Sequence, residues 1–101
     1  MQKRKFIVNN KEYELNINVE TYEKFIEIRD KVNPEGEYKL EDIKYMKEAV
    51  ATAYNYDFST ADLNRIPIEN LIFEFIGIDA FIAQKIEKKL ENLNLNFNQD
   101  K

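Results

Sequence analysis

Cysteine and histidine are absent from this 101-residue chain, and glycine and proline occur only twice each. Without cysteine there is no disulfide framework, no thiolate nucleophile and no thiolate metal site. Without histidine, the commonest general base and the usual transition-metal ligand are gone as well. So few Gly and Pro argue against a turn-rich all-β sandwich and favour helices. No Gly-rich phosphate loop is present, and no apolar run approaches the roughly 18–20 residues of a membrane span. The basic start Met1-Gln2-Lys3-Arg4-Lys5-Phe6 is not followed by the apolar stretch of a signal peptide. These features read as a soluble, cytoplasmic protein.

Charge narrows the reading further. A formal net charge of −4 is the wrong electrostatic footprint for a polyphosphate. The short cluster Lys3-Arg4-Lys5 reads as solvated charge on a strand edge, where it discourages strand addition. Asp57, Asp62 and Asp79 are the carboxylates an acidic enzyme would use, but scattered carboxylates read first as surface charge or helix caps. No catalytic, cofactor-binding or metal-ligating set is assigned, so the chain is read as neither an enzyme nor a cofactor protein.

What is present is enough for one core. The chain is 44% hydrophobic and 13% aromatic, and a domain of this size buries about two-thirds of its unfolded surface. Tyr13, Leu15, Ile17 and Val19 alternate with polar residues at strand period, and Phe6 and Val8 do the same upstream. A hairpin is therefore expected over about 4–18. With Asn10-Lys11 at its tip, Val8 faces Tyr13 and Phe6 faces Leu15. The alternative tip Asn9-Asn10 puts Val8 opposite Lys11 and loses an apolar pair, so the first register is preferred. A two-stranded hairpin is marginal alone and must lie on something.

Helices supply that surface. Tyr22, Phe25, Ile28 and Val32 form one stripe over about 20–32, ended by Asn33-Pro34-Glu35-Gly36. Leu40, Ile43, Met46, Val50 and Tyr54 form another over about 40–54. Ser59 and Asp62 have capping-box spacing, and Phe58 and Leu63 sit as a hydrophobic staple, so a short helix is expected over about 60–65. Pro67 suits the first position of the next helix. The last helix, about 68–93, carries a stripe of Ile68, Leu71, Ile72, Phe75, Ile78, Ile82, Ile86, Leu90 and Leu93. The fold expected is α+β and mostly helical: an N-terminal hairpin on a bundle of three to four helices, one domain over 1–93.

Phe73, Ile76 and Phe81 fall outside that stripe. A helix apolar on several faces is either a central core helix or one that meets partners. A break at Gly77 would reset the angles between its halves. If the helix is continuous, these three residues are expected at a protein–protein surface, with self-association as one outcome. The tail 94–101 follows, where Leu93, Leu95 and Phe97 alternate with Asn. Period two presents no helical stripe, so Leu95 and Phe97 are expected to dock on an apolar surface, the other outcome being a frayed end.

The order hairpin, helix, Pro/Gly loop, helix, capped aromatic turn and long terminal helix resembles the tail assembly chaperones of long-tailed phages that infect low-GC bacteria. The likeness is carried by Phe6-Ile7-Val8-Asn9-Asn10-Lys11-Glu12-Tyr13-Glu14-Leu15, leading into Tyr22-Glu23-Lys24-Phe25. It continues in Tyr56-Asp57-Phe58-Ser59-Thr60-Ala61-Asp62-Leu63 followed by Ile68-Glu69-Asn70-Leu71. Asn9-Asn10 stands where that family usually has Gly in the turn. The resemblance implies a non-enzymatic protein without cofactors, acting in the bacterial host cytoplasm. It implies binding to the tape-measure protein, a long helical chain kept soluble until the tail tube polymerises around it. A longer frameshifted form is common in that family. The rival reading is a small cytoplasmic protein-binding adaptor or antitoxin-like regulator, and a nucleic-acid-binding helical domain is the less fitting third. A long coiled-coil gene directly downstream favours the chaperone, and a toxin or repressor gene favours the rival.

Overall fold

A computed structural model describes residues 3–99, with side chains through Ile86. A two-stranded antiparallel hairpin, β1 (Lys5–Val8) and β2 (Lys11–Glu14), precedes α1 (Val19–Arg29) and α2 (Leu40–Ala53). A short 3-10 helix (Asp62–Arg65) and the long α3 (Ile68–Gln99) complete the order. The fold is mostly helical α+β, as expected. Helix α1 packs on α2, and α2 on α3.

The hairpin register differs from the expected one. Phe6 pairs with Tyr13, Ile7 with Glu12 and Val8 with Lys11, so the tip is Asn9-Asn10. Both asparagines have positive φ, 52° and 66°. A two-residue hairpin turn of the primed type needs positive φ at both central residues, and Asn accepts this far more readily than Lys. Val8 does not need an apolar cross-strand partner, because it is buried beneath the hairpin in the common core. Turn chemistry outweighs the single cross-strand pair. Leu15 lies beyond β2, yet its N–H still donates to the Arg4 carbonyl at 2.8 Å and its side chain is buried.

Local signals set most helix ends. Asn18 caps α1 by accepting from the Thr21 N–H at 2.8 Å. Regular helix stops at Arg29, but the Lys31 and Val32 N–H groups still bond back to the Ile28 and Arg29 carbonyls. Val32 therefore stays buried in line with Phe25. Asp42 holds the start of α2, accepting from the backbone N–H of Lys39 at 2.8 Å and of Asn33 at 3.0 Å. Those two donors keep its carboxyl below the usual range, Lys39 contributing most. Leu40, expected in the buried stripe, is the first residue of α2 and is exposed.

The end of α2 is a Schellman motif that the sequence pattern does not announce. The Tyr56 N–H bonds the Ala51 carbonyl at 2.8 Å, and the Asn55 N–H bonds the Thr52 carbonyl at 2.9 Å. Asn55 fills the left-handed position usually held by Gly, with φ 58°. Its side chain also accepts from Thr21 Oγ1 at 2.8 Å and donates to the Asn16 carbonyl at 3.0 Å. One residue thus ends α2 and fixes the entrance to α1. After it, Ser59 and Asp62 form the expected reciprocal cap: the Ser59 N–H donates to Asp62 Oδ2 at 2.8 Å, and the Asp62 N–H donates to Ser59 Oγ at 3.2 Å.

The core joins hairpin and helices through aromatic rings. Phe6, Tyr54 and Phe58 are mutually 5.3–6.0 Å apart, and Tyr13 adds an edge-on contact to Phe58 at 5.0 Å. Phe25 and Phe75 link α1 to α3 at 6.1 Å. On α3, Leu71, Phe75, Ile78 and Ile82 are buried, and Ile68 and Ile86 are exposed at the two ends of that stripe. Pro67 stands one position before α3, its carbonyl accepting from the Asn70 and Leu71 N–H groups. Helix α3 runs unbroken through Gly77 and past Leu93 to Gln99, so alternation at 93–97 does not end the helix. The side chains of Leu90, Leu93, Leu95 and Phe97 lie outside the described residues.

Candidate partner-binding surface

The surface of α3 is organised around a buried charge. Glu74 is only 5% exposed, although it sits among the core positions of the helix. Arg4 grips it with both arms, Nε to Oε2 at 3.1 Å and Nη2 to Oε1 at 3.0 Å. The Tyr54 hydroxyl donates to the same Oε2 at 2.6 Å. Burial, followed by that hydrogen bond, pushes the Tyr54 phenol far above its ordinary range, so it stays a donor. Hairpin, α2 and α3 meet at one carboxylate.

Gly77 makes this possible. One turn beyond Glu74, a Cβ there would fall directly on the Arg4 guanidinium. The glycine is a passage for Arg4 and not a helix break. The basic cluster is therefore divided: Lys3 and Lys5 stay exposed against Glu14 and Glu12, while Arg4 turns inward. Reading all three as solvated edge charge holds for the lysines and fails for the arginine. The missed signal was an acidic residue, Glu74, between the core positions Leu71 and Ile78, with a glycine three residues later.

With Glu74 sealed, α3 borders an exposed apolar pair, an apolar groove and a basic-rimmed cleft. Phe73 and Ile76, on the outer side of α3, are 67% and 49% exposed. Phe81 is half-buried and packs on the core, so the three off-stripe residues do not share one environment. Phe81 instead forms one wall of an apolar groove of about 290 Å³ with Ile17, Val19, Tyr22, Ile82 and Ile86. Lys85 lies over the Phe81 ring at 4.5 Å and gives the groove a basic rim. The third feature is a largely polar cleft of about 430 Å³ between Lys3, Arg4 and Lys5 and the α3 residues Gly77, Ala80, Phe81 and Gln84, with Phe81 shared with the groove.

Ile17, Val19 and Tyr22 were read as strand and helix core positions. They become a groove wall because β2 ends at Glu14, which leaves the alternating segment to run across the middle of α3, beside Phe81, Ile82 and Ile86. Leu95 and Phe97, the remaining residues expected to meet a partner, lie beyond the described side chains.

The carboxylates considered for chemistry have local duties. The Asp62 carboxylate accepts from the Ser59 N–H at 2.8 Å and from Ser59 Oγ at 3.1 Å, closing the turn into the 3-10 helix, and Asp79 accepts from Arg29 Nη1 at 2.7 Å, tying α1 to α3. That bond, the largest influence on Arg29, raises its pKa. Asp57 is exposed. Among the described residues no group of three or more acidic side chains is placed to hold a metal ion, and every buried side-chain polar atom has a partner. Among the described residues no helix is long and apolar enough to cross a membrane. Compared with protein-family models, curated proteins and solved structures, the chain matches none.

Proposed function

We propose that this protein is a phage-type tail assembly chaperone, which binds a long helical tape-measure protein and keeps it soluble until the tail tube polymerises. It acts in the cytoplasm of a bacterial host, takes no cofactor and catalyses no reaction. The observation that carries the reading is the apolar groove between Ile17, Val19 and Tyr22 on one wall and Phe81 and Ile86 on the other. An amphipathic helix lays its apolar face in such a groove, reading it with residues three or four apart. A tape-measure protein is a long helix with exposed apolar stripes, so it needs cover of this kind. The net charge of −4 helps keep the complexes dissolved. The element order, from hairpin to long terminal helix, supports the same reading.

The test is to read the gene directly downstream and, where it encodes a long coiled-coil protein, to co-express the two. The partner should move from the pellet to the supernatant and co-purify with this chain. A downstream gene for a toxin or repressor, or a coiled-coil partner that stays insoluble, would refute the proposal. Val19 is 74% exposed and Ile86 39% exposed, so Val19→Glu and Ile86→Glu probe the groove without opening the core.

A further inference from the structure

The groove beside Phe81 has apolar walls and a rim whose two sides differ in charge. Among the described residues its lining holds one charged side chain, Lys85. Lys85 is exposed on the α3 side, and its ammonium lies over the Phe81 ring at 4.5 Å. A cation held on a ring face keeps its charge and N–H donors for a further partner. On the α1 side, Glu23 is exposed one turn beyond the groove residue Val19, and helix residues four apart share a face. Among the described residues neither Lys85 nor Glu23 forms an ion pair, whereas their neighbours Glu20 and Lys24 are paired with each other at 3.0 Å.

We infer that the groove selects its helix by charge as well as by apolar surface. The occupant carries a carboxylate on the flank lying along α3, beside Lys85, and a cation on the flank lying along α1, beside Glu23. This deepens the chaperone reading and rests on it, because the occupant is the same amphipathic helix of the long partner protein.

Geometry gives the two charges this role. A helix seated in a groove points residues three and four apart into it, and the positions on either side of that apolar stripe meet the rim. Charges at the equivalent flanking positions of a coiled coil set partner choice and orientation. Opposite charge across the rim supports docking, and like charge opposes it. Turning the helix end for end exchanges its flanks, so the same two residues also choose one of its two directions. The chain as a whole, at net charge −4, favours a basic helix by its general field. Lys85 opposes that field at one wall, and this separates selection by the rim from attraction to an acidic protein.

Fluorescence anisotropy of the full chain with three labelled amphipathic helical peptides tests the inference. The peptides share one apolar face and differ in their flanks: Glu on one and Lys on the other, Lys on both, or Glu on both. At low salt the mixed peptide should bind about threefold to tenfold more tightly than either of the others, and the difference should shrink as salt is raised. Lys85→Glu should make the all-Lys peptide the tightest, and Glu23→Lys should make the all-Glu peptide the tightest. Both positions are exposed, so circular dichroism should be unchanged. A wild type that binds the all-Lys peptide as tightly as the mixed one, or variants that keep the wild-type order, would overturn the inference and leave the groove as a helix site without charge selection. Failure of all three peptides to bind would overturn it as well, while the chaperone reading falls only if the partner protein itself stays insoluble on co-expression.

Discussion

Gly77→Ala should destabilise the protein, although alanine is the better helix former by about 1 kcal/mol. The reason is the Arg4 guanidinium, which occupies the space a Cβ would take. To make room, the Arg4 guanidinium must shift, which strains its two-point grip on Glu74, a carboxylate that is 5% exposed and otherwise held by Tyr54. Breaking a buried ion pair on one side costs about 3–5 kcal/mol. Arg4 is itself 30% exposed, and its long side chain can shift, so about 2–3 kcal/mol is the better figure here. Subtracting the propensity gain leaves a net loss of about 1–2 kcal/mol. In an Arg4→Ala background the obstruction is gone, and Gly77→Ala should then stabilise by about 1 kcal/mol. Urea unfolding of the four proteins in this cycle measures the coupling directly. If Gly77→Ala stabilises equally in both backgrounds, the Arg4–Glu74 pair does not explain the glycine.

Three further outcomes follow from the same geometry. Tyr54→Phe should lose about 1.5–3 kcal/mol in urea unfolding, because it removes a short hydrogen bond to a buried charged acceptor. Asp42 has a depressed folded pKa, so its stabilisation is complete above the ordinary carboxylate range and lost as pH falls through the folded value; thermal midpoints should drop from about pH 4 downward. In Asp42→Asn that part of the pH dependence should vanish, and its persistence would place the acid sensitivity elsewhere. Asn10→Gly should stabilise by about 0.5 kcal/mol, since Asn10 sits at φ 66° in a turn that favours Asn-Gly; a loss would contradict the observed register.

How much could be read from residues alone depended on how local the cause was. Ser59 and Asp62 found each other because a capping box spans three residues, and the stripe Met46, Val50 and Tyr54 was legible because helical periodicity is short-range. The hairpin existed in the alternation, yet its register was misjudged by weighting one apolar pair above the backbone demand at Asn9-Asn10. Arg4, Glu74 and Gly77 escaped because their relation crosses about seventy residues, and no periodic pattern encodes such a meeting. The groove escaped for a related reason. Ile17 and Val19 have strand alternation, but the strand they would extend has already ended, and only the path of the chain over α3 gives them a common face with Phe81 and Ile86. Helix α3 continues past Leu93 because backbone hydrogen bonding propagates one residue at a time once a helix is formed. A period-two side-chain pattern does not interrupt it.

The central claim is that the groove beside Phe81 holds an apolar face of a long helical partner. It is tested most directly by co-expressing the downstream coiled-coil protein with the wild type, with Val19→Glu/Ile86→Glu, and with Phe73→Glu, and measuring the soluble fraction of the partner. The account predicts a soluble partner with the wild type and with Phe73→Glu, and a partner returned to the pellet with Val19→Glu/Ile86→Glu while that variant keeps its own fold. A partner that stays equally soluble with the groove variant would contradict it.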